Sequence, residues 1–83
     1  MEYIAEIDIM PHKELLDPQG KAVLNGLQKM ELSMMKDVRV GKHITLKLEA
    51  NDEAQAKELV ETACKKLLAN AIMEGYIIHL KQA

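Results

Sequence analysis

Lys21, Arg39 and Lys42 are the side chains of this sequence best suited to hold an anion or a partner's carboxylate. The start of a helix near them would add free backbone N–H donors to the same task. An ordinary set of solvated surface cations explains them equally well, because most surface charges have no special role. Other chemistries find less support. His12, His43 and His79 are not at metal-ligand spacing. Cys64 has no histidine beside it in sequence and reads as a small apolar residue rather than a nucleophile. Acidic residues are many, yet none pairs with an apolar pocket as general acid–base work requires. Gly20 and Gly41 are isolated, so no glycine-rich phosphate loop is present. The expected sheet also lacks the aromatic residues on which RNA-binding sheets stack bases.

Size and composition narrow the classes further. The 83 residues make one domain, 1–83, short for a self-sufficient core, so oligomerisation is a natural way to bury more surface. With no Trp or Phe, the core must be aliphatic, and the six Met fill its gaps. A net charge of -2 gives no basic footprint for nucleic acid. A lone cysteine cannot form an internal disulfide, which fits a reducing, cytoplasmic setting. Glu2 and Glu6 interrupt the apolar N-terminal run, so a signal peptide is not expected, and no apolar stretch approaches the roughly 20 residues that cross a bilayer.

The elements that position these residues follow from pattern and punctuation. Glu2 to Met10 alternates as a strand and Pro11 ends it. Asp17 suits an N-cap and Pro18 a first helical position, so a helix runs from about Pro18 to Glu31 with Val23, Leu27 and Met30 on one stripe. Gly20 is odd there, since Ala would favour the helix by about 1 kcal/mol. A glycine in a first turn lets another backbone, a ligand or a partner come close. Met34 to Val40 is expected as a second strand, Gly41 as a turn and His43 to Glu49 as a third strand. Asp52 with Gln55 resembles a capping box that opens a second helix carrying Ala56, Leu59, Val60, Ala63 and Leu67. Asn70 suits a helix C-terminus that needs left-handed φ, and Met73 to Lys81 reads as the last strand.

The order β-α-β-β-α-β is that of the α+β ferredoxin-like fold. Right-handed crossovers then predict a four-stranded antiparallel sheet, order 4-1-3-2, with both helices on one face. Strand directions bring the Asp17 helix start, the Gly41 turn and the Asn70–Tyr76 passage to one end. The termini, the Met30–Met34 loop and the Ala50 turn fall at the other.

Three runs then stand in register along essentially the whole chain: Leu16-Asp17-Pro18-Gln19-Gly20-Lys21-Ala22-Val23, Val38-Arg39-Val40-Gly41-Lys42, and Lys66-Leu67-Leu68-Ala69-Asn70 leading to Glu74-Gly75-Tyr76. Together they resemble the PurS family, the small subunit of phosphoribosylformylglycinamidine (FGAM) synthase. Three places depart from the family's usual pattern. Ala71 stands where Pro is usual, Ile72-Met73-Glu74 where Val-Ile-Glu is usual, and Met30-Glu31-Leu32 where the first helix usually ends in Leu-Gly-Tyr.

The resemblance implies a non-catalytic subunit of an ATP- and glutamine-dependent ligase complex in de novo purine biosynthesis. A synthetase subunit using ATP and magnesium and a glutaminase subunit would be its partners. PurS-like dimers would bridge them and support ammonia transfer, with no catalytic residue, cofactor or metal in this chain. Asp17, Pro18, Gln19, Gly20, Lys21, Arg39, Gly41, Lys42, Asn70, Glu74 and Tyr76, gathered at the shared end, are the candidate partner-interface residues. Arg39, facing away from the Val38–Val40 side of its expected strand, would meet acidic groups of the partner with Lys42. A homodimer, or a dimer of dimers, is expected from the small core and from Ile4, Met10 and Ile77 on the open face of the sheet. The competing classes are a regulatory ligand-binding domain of the same fold and a generic oligomerisation module.

Overall fold

Ten residues of strict alternation place β1 (Glu2–Pro11) at the centre of the sheet. Tyr3, Ala5, Ile7 and Ile9 point into the core, and Glu2, Ile4, Glu6, Asp8 and Met10 point to the open face. The computed structural model describes residues 1–70 and 72–83. The helix α1 (Pro18–Lys29) follows β1, then β2 (Lys42–Glu49), α2 (Glu53–Ala63), a π-helical turn (Cys64–Leu68) and β3 (Glu74–Gln82). Both outer strands pair antiparallel with β1, giving the order β2-β1-β3. Ile7 faces Ile44 on one side and Ile78 on the other, so three β-branched side chains form one rung of the core.

The two pairings expected among strands one, three and four are therefore present, but the sheet has three strands among the described residues, not four. The stretch expected as a strand at Met34 to Val40 forms none. Its backbone is tied to the first helix instead. The carbonyl of Met35 accepts from Gln28 Nε2 at 3.4 Å, and the N–H of Val40 donates to Asp17 Oδ2 at 2.9 Å. The first helix ends at Lys29, two residues short of the expected Glu31. Glu31 itself takes φ 66°, the left-handed conformation that lets the chain turn back.

The expectation of two helices on one face also needs correction. Of the two helices, only α2 lies over the sheet: its Ala56 packs with Tyr3 and Ala50, and its Val60, with Cys64 of the turn that follows, packs with Ala5, Ile7 and Ile9. Each large aliphatic side chain so buried contributes about 1.5–3 kcal/mol. The helix α1 stands off the sheet, and Gly20 is its one buried residue. The core-facing Ile44, Leu46 and Leu48 of β2 are consequently only half-buried. The chain is elongated, 51 × 26 × 14 Å, with a radius of gyration of 16.4 Å where a compact chain of this length has about 12 Å.

The cap of the second helix holds with one refinement, whereas Leu59 and Leu67 of its expected apolar stripe are exposed. Asp52 accepts from Gln55 N at 2.8 Å, and Gln55 Oε1 returns to the N–H of Asn51 at 2.7 Å, one residue earlier than in a standard capping box. Asn70 does not take the expected left-handed φ. Its side chain forms a turn instead, Oδ1 accepting from Ile72 N at 3.1 Å and Met73 N at 3.3 Å. Ala71 lies outside the described residues. No helix among the described residues is long and apolar enough to cross a membrane.

Candidate functional site

The shared end is assembled around a carboxylate. Asp17 caps α1 through Oδ1, which accepts from Gly20 N at 2.9 Å, and holds the returning chain through Oδ2, which accepts from Val40 N. It is buried, 9% exposed. The N–H of Val40, then that of Gly20, and more weakly the charge of Arg39, hold its carboxyl below the usual carboxylate range. The first turn of α1 thus has little left for an outside anion. Pro18 has no N–H, Gly20 N serves Asp17, and Lys21 N donates to the Asp17 carbonyl at 3.0 Å. Of the helix donors expected to be free, those of Gly20 and Lys21 are used within the chain.

Arg39 is turned inward rather than toward solvent. Its guanidinium donates to the carbonyls of Pro11 at 3.3 Å, His12 at 2.7 Å, Lys13 at 3.4 Å and Leu15 at 3.4 Å. Its Nε lies 3.9 Å from Asp17 Oδ2. The planar fork of donors suits this task, since four carbonyls of one loop converge on one side chain. The loop after β1 is therefore moulded around Arg39. These carbonyl partners leave no trace in the side-chain pattern, so sequence reasoning does not find them.

Two glycines explain themselves by closeness. A Cβ on Gly20 would strike the carbonyl oxygen of Val38, and one on Gly41 would strike the carbonyl of Ile9 and the sulfur of Met10. Gly20 thus admits the chain's own backbone. Lys42 lies 3.8 Å from Glu74, tying β2 to the start of β3 across the end of β1. The N–H of His12 donates to the Met73 carbonyl at 2.9 Å, and Asn70 N donates to Glu74 Oε1 at 2.8 Å. The Asp17, Gly41 and Asn70–Glu74 segments do meet, as the topology predicts. Pro18, Gln19 and Lys21 are exposed around this meeting point, whereas Tyr76 packs toward the core.

Beside it lies a hollow of about 210 Å³ lined by Pro11, Leu15, Leu16, Asn70, Met73 and Glu74. Leu16 of the lining is 68% exposed, and Ile72, in sequence between the lining residues Asn70 and Met73, is 86% exposed. The polar side chains of the hollow are already engaged: Glu74 by Asn70 N and Lys42, Asn70 by the N–H groups of Ile72 and Met73. It offers apolar contact and no group poised for proton transfer or nucleophilic attack. Elsewhere, burial pushes the Cys64 thiol up, which suits a core filler. Among the described residues, no group of three or more His, Cys, Asp or Glu is placed to hold a metal ion.

A family model described as PurS, phosphoribosylformylglycinamidine (FGAM) synthase, matches residues 4–82. The PurS subunit of phosphoribosylformylglycinamidine synthase from Synechocystis sp. is 41% identical over 78 residues, covering 94% of this chain and 78% of the relative. The Bacillus subtilis subunit is 38% identical over 74 residues, 89% of this chain and 87% of the relative. Among solved structures, B. subtilis PurS superposes with a TM-score of 0.88 at 35% identity over 96% of this chain and 99% of the other. A chain of the Thermotoga maritima PurLQS structure does so with a TM-score of 0.89 at 30% identity over 98% of this chain and 99% of that one.

Proposed function

The chain belongs to the PurS family, the PurS subunits of the FGAM synthase of purine biosynthesis, and from that premise we propose that it bridges a synthetase and a glutaminase subunit in the cytoplasm. The synthetase partner uses ATP and magnesium to convert formylglycinamide ribonucleotide to the amidine. The glutaminase partner releases ammonia from glutamine. This chain holds no cofactor and supports ammonia transfer by keeping its partners in register.

The observation that carries this reading is the hollow at the shared end. Exposed Leu16 lines it on the loop held by Arg39, exposed Ile72 lies in sequence between the lining residues Asn70 and Met73, and the polar atoms of the hollow are satisfied internally. Such a surface favours an apolar anchor from a partner and has no chemistry of its own. The test is Leu16→Asp and Met73→Asp in a complex reconstituted with both partners. Glutamine-dependent turnover is expected to fall at least tenfold while ammonia-dependent turnover and melting temperature are kept. Parental glutamine-dependent turnover in both variants would remove this end as the docking surface.

We further infer that the chain works as a homodimer in which α1 and the segment after it pack on a second copy. A folded monomer of this size exposes about 5,000 Å², whereas this chain exposes 6155 Å². The surplus exceeds the ~800 Å² per partner that a stable interface buries. It lies where Val23 and Met30 of the helical arm are exposed and where Ile44, Leu46 and Leu48 are only half covered. A partner's α1 over β2, with its 34–40 segment beside the free edge of β2, would restore the four-stranded arrangement that the sequence pattern predicts.

A further inference from the structure

The open face of the sheet carries a cluster that neither the docking end nor the dimer reading uses. Asp8 stands at its centre on β1, directly opposite His43 on β2. His79 on β3 is opposite Glu6, one same-face position along. The Nδ1 of His43 lies 2.6 Å from Asp8 Oδ1, and the Nε2 of His79 lies 3.5 Å from Asp8 Oδ2. One carboxylate on the middle strand is thus shared by imidazoles from both outer strands. The far nitrogen of His43 lies 3.4 Å from the Thr45 hydroxyl and 3.9 Å from Glu6.

We propose that His43, Asp8 and His79 form a proton-operated latch, which draws β2 and β3 onto β1 when the two imidazoles are protonated. A neutral imidazole has one N–H to donate and one nitrogen that accepts. With Nδ1–H of His43 given to Asp8, its Nε2 accepts from the Thr45 hydroxyl. Proton uptake turns that acceptor into a donor facing Glu6, and turns the bonds to Asp8 into ion pairs. It also relieves the mutual repulsion of Glu6 and Asp8, which share this face two residues apart. The bond from His43 holds the Asp8 carboxyl below its usual range, so the anion persists through the window in which imidazoles charge.

The other charges on the face do not satisfy Asp8 in place of the imidazoles. Lys47 of β2 lies 3.8 Å from Glu2. Glu49 of β2 is opposite Glu2, and Lys81 of β3 is opposite Ile4, both further along the sheet. Ile77, opposite Asp8 on β3, is apolar. The helix α2 packs on the other face. Lys13 and His12, from the loop after β1, line the same hollow as Asp8 but make no ion pair with it among the described residues. With neutral histidines the strand side chains of this face carry a net negative charge.

The experiment is urea unfolding of the full chain at one fixed protein concentration, at pH 8 and pH 5.5. Parent, Asp8→Asn, His43→Gln and His79→Gln are compared, with His12→Gln as control, because the His12 ring makes no hydrogen bond among the described residues. The factor by which Asp8→Asn lowers the folding equilibrium constant is expected to be about twofold or more larger at pH 5.5 than at pH 8. That extra factor should vanish in a His43→Gln, His79→Gln background and persist with His12→Gln. An Asp8→Asn effect equal at the two pH values, or an extra factor that survives removal of both histidines, overturns the latch. His43 and His79 are exposed and Asp8 is half-buried on the open face, and the unfolding curves themselves report whether each variant folds. The single histidine variants repeat the measurement without changing Asp8.

Discussion

Asp17 and Val40, 23 residues apart, are joined by a 2.9 Å hydrogen bond from the Val40 N–H to the carboxylate that also caps α1. One side chain therefore fixes both where the first helix begins and where the chain rejoins the sheet at β2. Its loss should be felt more than the loss of an ordinary cap. Asp52→Ala, which removes an exposed cap with a single bond, is expected to cost about 1 kcal/mol. Asp17→Ala should lower the melting temperature by a larger amount, because Val40 N and Gly20 N both lose their acceptor. Equal shifts in the two variants, measured by thermal melting, would make the bond to Val40 incidental.

Asp17 also gives the chain an acid sensitivity of definite sign. Its folded carboxyl titrates below the unfolded one, held down first by Val40 N–H and then by Gly20 N–H. The stabilisation is complete above the unfolded value of about 4 and is lost as the pH falls through the folded value. Stability of the parent should therefore drop more steeply below pH 4 than that of Asp17→Asn, which is weaker at neutral pH. Denaturation midpoints between pH 2.5 and 6 read this directly.

Arg39→Lys should behave almost as badly as Arg39→Ala. An ammonium reaches one or two of the carbonyls of Pro11, His12, Lys13 and Leu15, whereas the guanidinium spans all four. A loss of about 1–3 kcal/mol is expected for the alanine variant, lowering the melting temperature by roughly 5–15 °C in a domain this small. A lysine variant melting with the parent would show that charge alone suffices.

Arg39 also marks where the sequence stops being legible. Alternation exposes β1, β2 and β3, because a sheet with one buried face imposes period two on side chains. Capping residues expose both helix starts, since their partners lie within three residues. The meeting of the Asp17, Gly41 and Asn70 segments follows from strand direction alone. Arg39 is misplaced by the pattern because its partners are main-chain carbonyls, and every residue type has one. The segment from Met34 to Val40 misleads for a related reason. Its apolar and extended character suits a strand, but whether an edge is available depends on where α1 goes, which no local pattern records. The stand-off of α1 is hidden too, because its apolar stripe looks the same whether its own sheet or another chain covers it.

Gly20→Ala should reverse the usual helix preference. Alanine favours a helix interior over glycine by about 1 kcal/mol, but here its Cβ would meet the Val38 carbonyl and lie 2.6 Å from Asp17 Oδ2. The variant should melt below the parent. Gly26, where an added Cβ would meet nothing within 4 Å, is the matched control within the same helix, and Gly26→Ala should melt at or above the parent. A Gly20→Ala variant as stable as Gly26→Ala would show that the Val38 carbonyl can give way.

A charge placed on the helical arm or on the uncovered half of the sheet should break the proposed dimer. Leu27 on α1 and Leu46 on β2 are both half-buried. The exposed Val23 and Met30 extend the apolar stripe of α1, and Ile44 and Leu48 flank Leu46 on β2. If a second copy covers both surfaces, a charge on either one is buried in the dimer and solvated in the monomer. Leu27→Asp and Leu46→Asp should then each shift the dimer to monomer at micromolar concentration, weakening association at least a hundredfold, since an unpaired charge in an apolar interface costs several kcal/mol. Light scattering or sedimentation reads the mass. Mixing the two variants distinguishes this arrangement from any other dimer. In the mixed pair, both charges fall in one of the two arm-to-sheet contacts and the other contact is undamaged, so it should associate more tightly than either variant with itself. Parental dimerisation in both variants would place the interface elsewhere, with the open-face residues Ile4, Met10 and Ile77 as the surface to charge next.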